Sequence, residues 1–170
     1  RRIESDELSR PILDQSVPLI GATALHNGGN TGAGMAVAIL DTGVDHEHPM
    51  FAGRITGSAC FSTTSSGSTS LCPAGAASDT TTAGAGDNCE EYSDNNTIGA
   101  EGCSHGTHVA GIAAGGSFTD PADGSRTLRG VAPGANIVAV QVFSRFTSAG
   151  DCGSSTPCVL SYSSDQLAAL

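Results

Sequence analysis

The chain of 170 residues contains no lysine, and all seven of its basic residues are arginine. Seventeen acidic side chains outnumber these arginines and give the chain a formal net charge of −10 at pH 7. A chain so poor in cations lacks the electrostatic footprint that binds nucleic acid, and an anionic membrane surface would repel it. We therefore expect neither nucleic acid nor a membrane as a partner.

Long hydrophobic runs are also missing. The longest apolar run covers residues 35–40, whereas a helix that spans a bilayer needs about 20 apolar residues. Hydrophobic residues still make up 38% of the chain, enough to form a core, so wholesale disorder is excluded. The 23 glycines and seven prolines favour a loop-rich α/β or all-β chain over a helical bundle.

The six cysteines include no Cys-x-x-Cys pair, which disfavours the alternative of a zinc site. Their number is even and they lie in stretches rich in Ser, Thr and Gly, which predicts three disulfides and an oxidising, extracellular compartment. Fifteen pairings are possible. We adopt the pairing of sequence neighbours as a hypothesis: Cys60–Cys72, Cys89–Cys103 and Cys152–Cys158.

Two apolar runs without polar alternation, residues 35–40 and 136–143, predict strands that are buried on both faces. Between them, residues 105–114 predict a helix whose small side chains would let it pack close to its neighbours. Strand, helix and strand in this order predict an α/β fold with a parallel sheet. Residues 57–104 hold four cysteines and are interpreted as an insertion stapled by disulfides.

Two residues are candidates for chemistry. Asp41 follows the first predicted strand, at the sheet edge where ligands and catalytic groups collect, although it could simply form a turn. His105 begins the predicted helix, where it could equally be structural. His105 and His108 are one helical turn apart and could share a metal ion, but no glutamate completes a metalloprotease pattern.

Residues 36–45, followed by His48 and Pro49, resemble the aspartate motif of the subtilisin-like serine proteases, and residues 105–114 resemble their histidine motif. Residues 15–18 and 130–135 resemble two further family segments in the same order. The resemblance covers residues 15–170 and is interrupted by the insertion at about 57–104. It implies a three-layer α/β fold with a mostly parallel central sheet and flanking helices, incomplete at the C-terminus.

The resemblance also implies an activity, the hydrolysis of peptide bonds through an Asp-His-Ser triad. Asp41 would orient the imidazole, His105 would act as general base and then general acid, and His108 would be structural. The nucleophile motif is absent, so we expect the serine beyond Leu170 and expect this fragment alone to be inactive. Residues 1–14 would be a lead-in or the remnant of a cleaved propeptide, the substrates would be polypeptides, and the protein would be secreted.

No cofactor is implied for catalysis, and no metal ligand is assigned. In compact secreted members, the position of Gln15 helps to hold a structural calcium ion, but Met50 stands in place of an acidic ligand. A thioether is a poor ligand for a hard cation, which argues against that site. A cluster of acidic residues in the insertion is interpreted as a solvated loop: Asp87, Glu90, Glu91 and Asp94.

Two other functions stay open at this stage. Residues 41–43 read Asp-Thr-Gly, which is also the signature of aspartic proteases. Those enzymes need two such aspartates, and the chain has one Asp-Thr-Gly, so a homodimer would be required. The chain could also belong to a non-catalytic, protease-like interaction domain that keeps Asp41 and His105 and lacks the serine.

Overall fold

The computed structural model describes residues 13–89, 102–121, 124 and 126–170. Its helices are α1 (Leu13–Leu19), α2 (Ala22–Asn27), α3 (His105–Ala114), α4 (Ala149–Cys152) and α5 (Ser163–Ala168). Its strands are β1 (Ala36–Asp41), β2 (Ile55–Phe61), β3 (Ser68–Ser70), β4 (Ser78–Asp79), β5 (Phe118–Thr119), β6 (Thr127–Leu128), β7 (Asn136–Gln141), β8 (Ser144–Phe146) and β9 (Cys158–Leu160). Almost all of the predicted lead-in, residues 1–14, lies outside this part of the chain.

A four-stranded sheet forms the centre of the fold, with the order β1-β7-β2-β4. Strand β7 pairs in parallel with β1 on one side and with β2 on the other, and β4 pairs with β2 in antiparallel orientation. The register places Asp41, the last residue of β1, beside Gln141, the last residue of β7. The predicted α/β class is therefore confirmed, and the central sheet, predicted to be mostly parallel, is partly parallel.

The two strands predicted to be buried on both faces differ in the structure. Strand β7 lies between two partners and buries Ile137, Ala139 and Val140. Strand β1 lies at the edge of the described sheet, where Ala36 and Ala38 are exposed and Ile39 is buried. The apolar run predicted both strands correctly, but it could not tell a central strand from one that is paired on a single side.

Helix α3 packs closely against β1, as its small residues predict. Ala110 and Ala114 are fully buried in the main core, together with Ile39 and Phe51. The helix ends before Gly115, whose φ of −58° and ψ of 129° are extended. The chain therefore leaves the helix in an extended conformation.

The helical segment near the N-terminus is divided in two. It forms two helices, α1 and α2, because Gly21 adopts a φ of 79° between them. This left-handed conformation interrupts a helix and is easily reached by glycine. No helix in the described part of the chain is long and apolar enough to cross a membrane.

The insertion and the C-terminal residues form a second, antiparallel sheet with the order β3-β8-β9, and β5 and β6 form a hairpin. All three disulfides join the cysteines that the hypothesis paired: Cys60–Cys72, Cys89–Cys103 and Cys152–Cys158. The first two are centres of small buried clusters, which shows how a segment rich in Ser and Thr obtains a core.

Candidate active site

The end of strand β1 meets the beginning of helix α3. Asp41 is the last residue of the strand, and its backbone carbonyl accepts a hydrogen bond from Val142 N at 2.9 Å, which continues the ladder with β7. Its side chain is only 13% exposed. Carboxylate oxygen Oδ1 accepts a hydrogen bond from Thr42 N at 2.7 Å, which fixes the orientation of the carboxylate.

His105, the first residue of α3, contacts this carboxylate directly. Its Nδ1 lies 2.8 Å from Asp41 Oδ1 and 3.0 Å from Asp41 Oδ2. The imidazole side chain is 62% exposed, so the pair joins a shielded carboxylate to a ring that solvent can reach. Because Nδ1 is engaged by the carboxylate, Nε2 is the ring nitrogen left to exchange a proton with another group.

Two glycines allow the strand and the helix to approach so closely. A Cβ atom on Gly106 would lie 2.2 Å from the carbonyl oxygen of Gly43. Gly43 has a φ of 89°, and a Cβ there would lie 1.9 Å from the carbonyl oxygen of Asp87. Any side chain at either position would push the helix or the neighbouring segment away and separate Asp41 from His105.

A second imidazole–carboxylate pair, which the sequence did not indicate, joins His46, three residues after Gly43, to Asp87. His46 Nδ1 makes a short hydrogen bond with Asp87 Oδ1. The His46 side chain is about half exposed, whereas that of Asp87 is buried. Burial raises the pKa of the Asp87 carboxyl, and the contact with His46 offsets part of that rise.

The buried position of Asp87 corrects its assignment to a solvated acidic loop; the other three acidic residues lie outside the described part of the chain. Asp87 and His46 border an open pocket of about 480 Å³, whose other walls include Phe51 and Ser58. Because Asp87 lies close in sequence to three other acidic residues, it was expected to be exposed to solvent. The only sequence signal for its burial was the run of small residues, 83–86, that precedes it.

The remaining candidate ligands do not form a metal site in the part of the chain that the structure describes. His108 is exposed on α3, and no group of three or more potential ligands is found among the described residues. Met50 is buried in the main core, where it offers a thioether and no oxygen. The residue that replaces the acidic calcium ligand therefore does not fit that role, and the Gln15 side chain lies outside the described residues.

Comparison with known proteins agrees with this geometry. Residues 32–156 match the model of the Subtilase family, a family of serine peptidases. The chain belongs to the subtilase family. The matched region includes the end of β1, the whole of α3 and the central strand β7.

Individual relatives extend the subtilase match over most of the chain. Subtilisin E of Bacillus subtilis (strain 168) is 33% identical over 144 residues, which cover 82% of this chain and 28% of the relative. Thermitase of Thermoactinomyces vulgaris is 32% identical over 111 residues, 65% of this chain and 27% of the relative. The Minor extracellular protease Vpr of Bacillus subtilis (strain 168) is 47% identical over 45 residues, 26% of this chain and 6% of the relative. The chain thus spans less than a third of the length of these relatives.

Proposed function

We propose that the whole protein that contains this chain is a secreted serine endopeptidase, in which Asp41 and His105 are two members of an Asp-His-Ser triad. The bidentate contact between the Asp41 carboxylate and His105 Nδ1, at 2.8 and 3.0 Å, is the observation that carries the proposal. Membership of the subtilase family supports the reaction class. The three disulfides and the extracellular relative support secretion.

The chemistry follows from the two residue types. A serine hydroxyl is a weak nucleophile until a base removes its proton, and an imidazole titrates close enough to neutral pH to accept the proton and later return it to the leaving amine. Asp41 would hold His105 in the tautomer that carries its proton on Nδ1 and would stabilise the imidazolium that forms. The largely exposed ring of His105 leaves Nε2 as the atom that serves the serine.

The proposal places the serine nucleophile beyond Leu170, since the chain matches 28% of the length of subtilisin E. Residues 15–170 would then be the N-terminal part of a three-layer catalytic domain, with the disulfide-stapled insertion at about 57–104, and residues 1–14 a lead-in or propeptide remnant. This fragment alone would be inactive. The proposed substrates are polypeptides, and the proposed mechanism uses no metal or cofactor.

A fluorophosphonate probe tests the proposal directly, because it reacts with a serine that a neighbouring base activates. We expect the whole protein to be labelled at one serine and to lose peptide hydrolysis in proportion to labelling. The Asp41→Asn variant is the matched control, and its labelling should be slower by several orders of magnitude.

Each of the other two functions predicts a different result in the same assay. A protein that hydrolyses peptides at acid pH, is blocked by a statine-type inhibitor and is not labelled would be an aspartic protease. A folded whole protein that neither reacts with the probe nor cleaves peptides would be a non-catalytic relative. Either result would overturn the proposal.

A further inference from the structure

Thr42 makes four hydrogen bonds at the junction between strand and helix. It is 2% exposed, so water cannot replace the partners of its polar atoms. Its backbone N–H donates to Asp41 Oδ1 at 2.7 Å, and its hydroxyl Oγ1 donates to the carbonyl oxygen of Cys103 at 2.9 Å. The same Oγ1 accepts from Gly106 N at 2.9 Å, and the Thr42 carbonyl accepts from Cys89 N at 3.0 Å.

The hydrogen bond from Gly106 N to Thr42 Oγ1 caps the N-terminus of helix α3, which has no capping bond from its own N-cap residue. The first backbone N–H groups of a helix have no partner within the helix, and a preceding Ser or Thr usually accepts one of them. Ser104 occupies that position here but makes no side-chain capping bond. Thr42, the residue that follows strand β1 and lies 64 residues before Gly106, takes over this role and so fixes the N-terminal turn that carries His105.

The remaining two bonds of Thr42 join it to both halves of one disulfide. Cys89 and Cys103 are linked with their Cα atoms 5.2 Å apart, and each gives one backbone group to Thr42. Cys103 lies two residues before His105. The disulfide therefore holds the chain that enters α3 against the residue that also orients the carboxylate.

We propose that Thr42 is a positioning residue, which ties the Cys89–Cys103 disulfide to the Asp41–His105 pair so that the imidazole meets the carboxylate in one fixed geometry. This inference rests on the proposed function and extends it to a residue that does not touch the substrate. A hydroxyl is required, because a single atom must donate to the Cys103 carbonyl and accept from Gly106 N. Loss of the hydroxyl leaves two buried backbone groups without a partner.

Two substitutions separate the hydroxyl from the shape of the side chain. Thr42→Val keeps the branched shape and removes the hydroxyl, whereas Thr42→Ser keeps the hydroxyl. In the whole protein we expect Thr42→Val to lower kcat by roughly 10- to 100-fold and to change KM by no more than about threefold. A small misplacement of reacting groups lowers the rate of the chemical step by a factor of this size. Thr42→Ser should stay within about threefold of the unaltered protein in both constants.

Thr63→Val is the control for a merely structural effect. Thr63 Oγ1 also donates a partly buried hydrogen bond, to Asp165 Oδ1 at 2.8 Å, and Thr63 is not part of the Asp41–His105 junction. This variant should lower the thermal midpoint and leave kcat unchanged. If Thr42→Val behaves in the same way, with kcat unchanged below its thermal midpoint, the inference is overturned.

A second measurement does not depend on turnover. A proton on His105 Nδ1 that is hydrogen-bonded to a carboxylate gives a low-field ¹H resonance, which Thr42→Val should abolish or broaden and Thr42→Ser should preserve. Loss of this resonance in a protein that hydrolyses no peptide would support the inference and reject the proposed function. An active protein whose resonance and kcat are both insensitive to Thr42→Val would reject the inference alone.

If Thr42→Val does not fold, the Cys89→Ala/Cys103→Ala double variant provides the test. It leaves Thr42 in place and removes the covalent link that holds its two backbone partners. We expect a loss in kcat of at least about threefold, with KM little changed, and a weaker low-field resonance. An unchanged kcat and an unchanged resonance in the folded double variant would contradict the inference.

Discussion

Two imidazole–carboxylate pairs lie near the end of strand β1, and they differ in what surrounds them. In the first, the Asp41 side chain is 13% exposed and the His105 ring 62% exposed. In the second, Asp87 is buried more deeply and burial raises the pKa of its carboxyl, while His46 lies over it. The first pair joins a strand to a helix at the sheet edge, whereas the second joins the insertion to the loop after β1. The same two residue types therefore occur in two environments, and the proposed function assigns catalysis to the pair with the exposed imidazole and the less buried carboxylate.

The largest expected effect distinguishes the two histidines. His105→Ala in the whole protein should lower kcat by roughly 10⁴-fold or more with little change in KM, because it removes the proposed general base. His46→Ala should leave kcat within about threefold. Steady-state kinetics with a chromogenic peptide measures both constants. Turnover that survives in His105→Ala, or disappears in a folded His46→Ala, would reverse the roles assigned to the two pairs.

A smaller effect concerns the buried carboxyl. Because the pKa of Asp87 in the folded protein lies above its ordinary value of 3.8, the folded protein binds that proton more tightly than the unfolded chain. The free energy of unfolding therefore falls as the pH rises from 3.8 through the raised pKa, and at neutral pH the charge is destabilising. Asp87→Asn should raise the thermal midpoint at pH 7 by about 2 °C.

Calorimetry of the whole protein, inactivated with a fluorophosphonate to prevent self-digestion, would measure this difference. The gain should shrink as the pH falls towards and below 3.8, where the Asp87 carboxyl becomes protonated in both states. A lower thermal midpoint for Asp87→Asn at pH 7 would mean that the pair with His46 outweighs the cost of burial. His46→Gln, which keeps a hydrogen-bonding side chain that cannot become protonated, would then show how much of that contribution needs an imidazole.

The smallest effect comes from an exposed carboxylate in the same insertion. Hydrogen bonds from Thr82 and Thr81 lower the pKa of Asp79 to about 2. Its stabilising contribution is therefore present above its ordinary value of 3.8 and is lost as the pH falls through about 2. Asp79→Asn should lower the thermal midpoint slightly at pH 7, and the difference should disappear as the pH falls below about 2. A pH dependence with the opposite sign would contradict this assignment.

The sequence predicted the elements that local pattern determines. The apolar run before Asp41, the small residues after His105 and the even number of cysteines led to a strand, a closely packed helix and three disulfides, and the structure confirms each. The two candidate residues, Asp41 and His105, are in contact. Their roles in catalysis remain a prediction.

The features that the sequence did not predict depend on long-range packing. Thr42 is next to Asp41 in the sequence, but its partners Cys103 and Gly106 lie more than 60 residues away and only the fold brings them together. Asp87 was grouped with its acidic neighbours because charge in a polar segment usually means solvent. Its burial results from the close approach of that segment to Gly43, which no local pattern encodes.

The Cys89–Cys103 disulfide has a consequence for how the chain could be altered. It fixes the two ends of the intervening segment with their Cα atoms 5.2 Å apart, immediately before the helix that carries His105. The entropy of closing a loop grows slowly with its length. Peptides of other lengths could therefore be grafted between these cysteines while the Asp41–His105 pair keeps its geometry. This position is a natural place to attach new recognition elements.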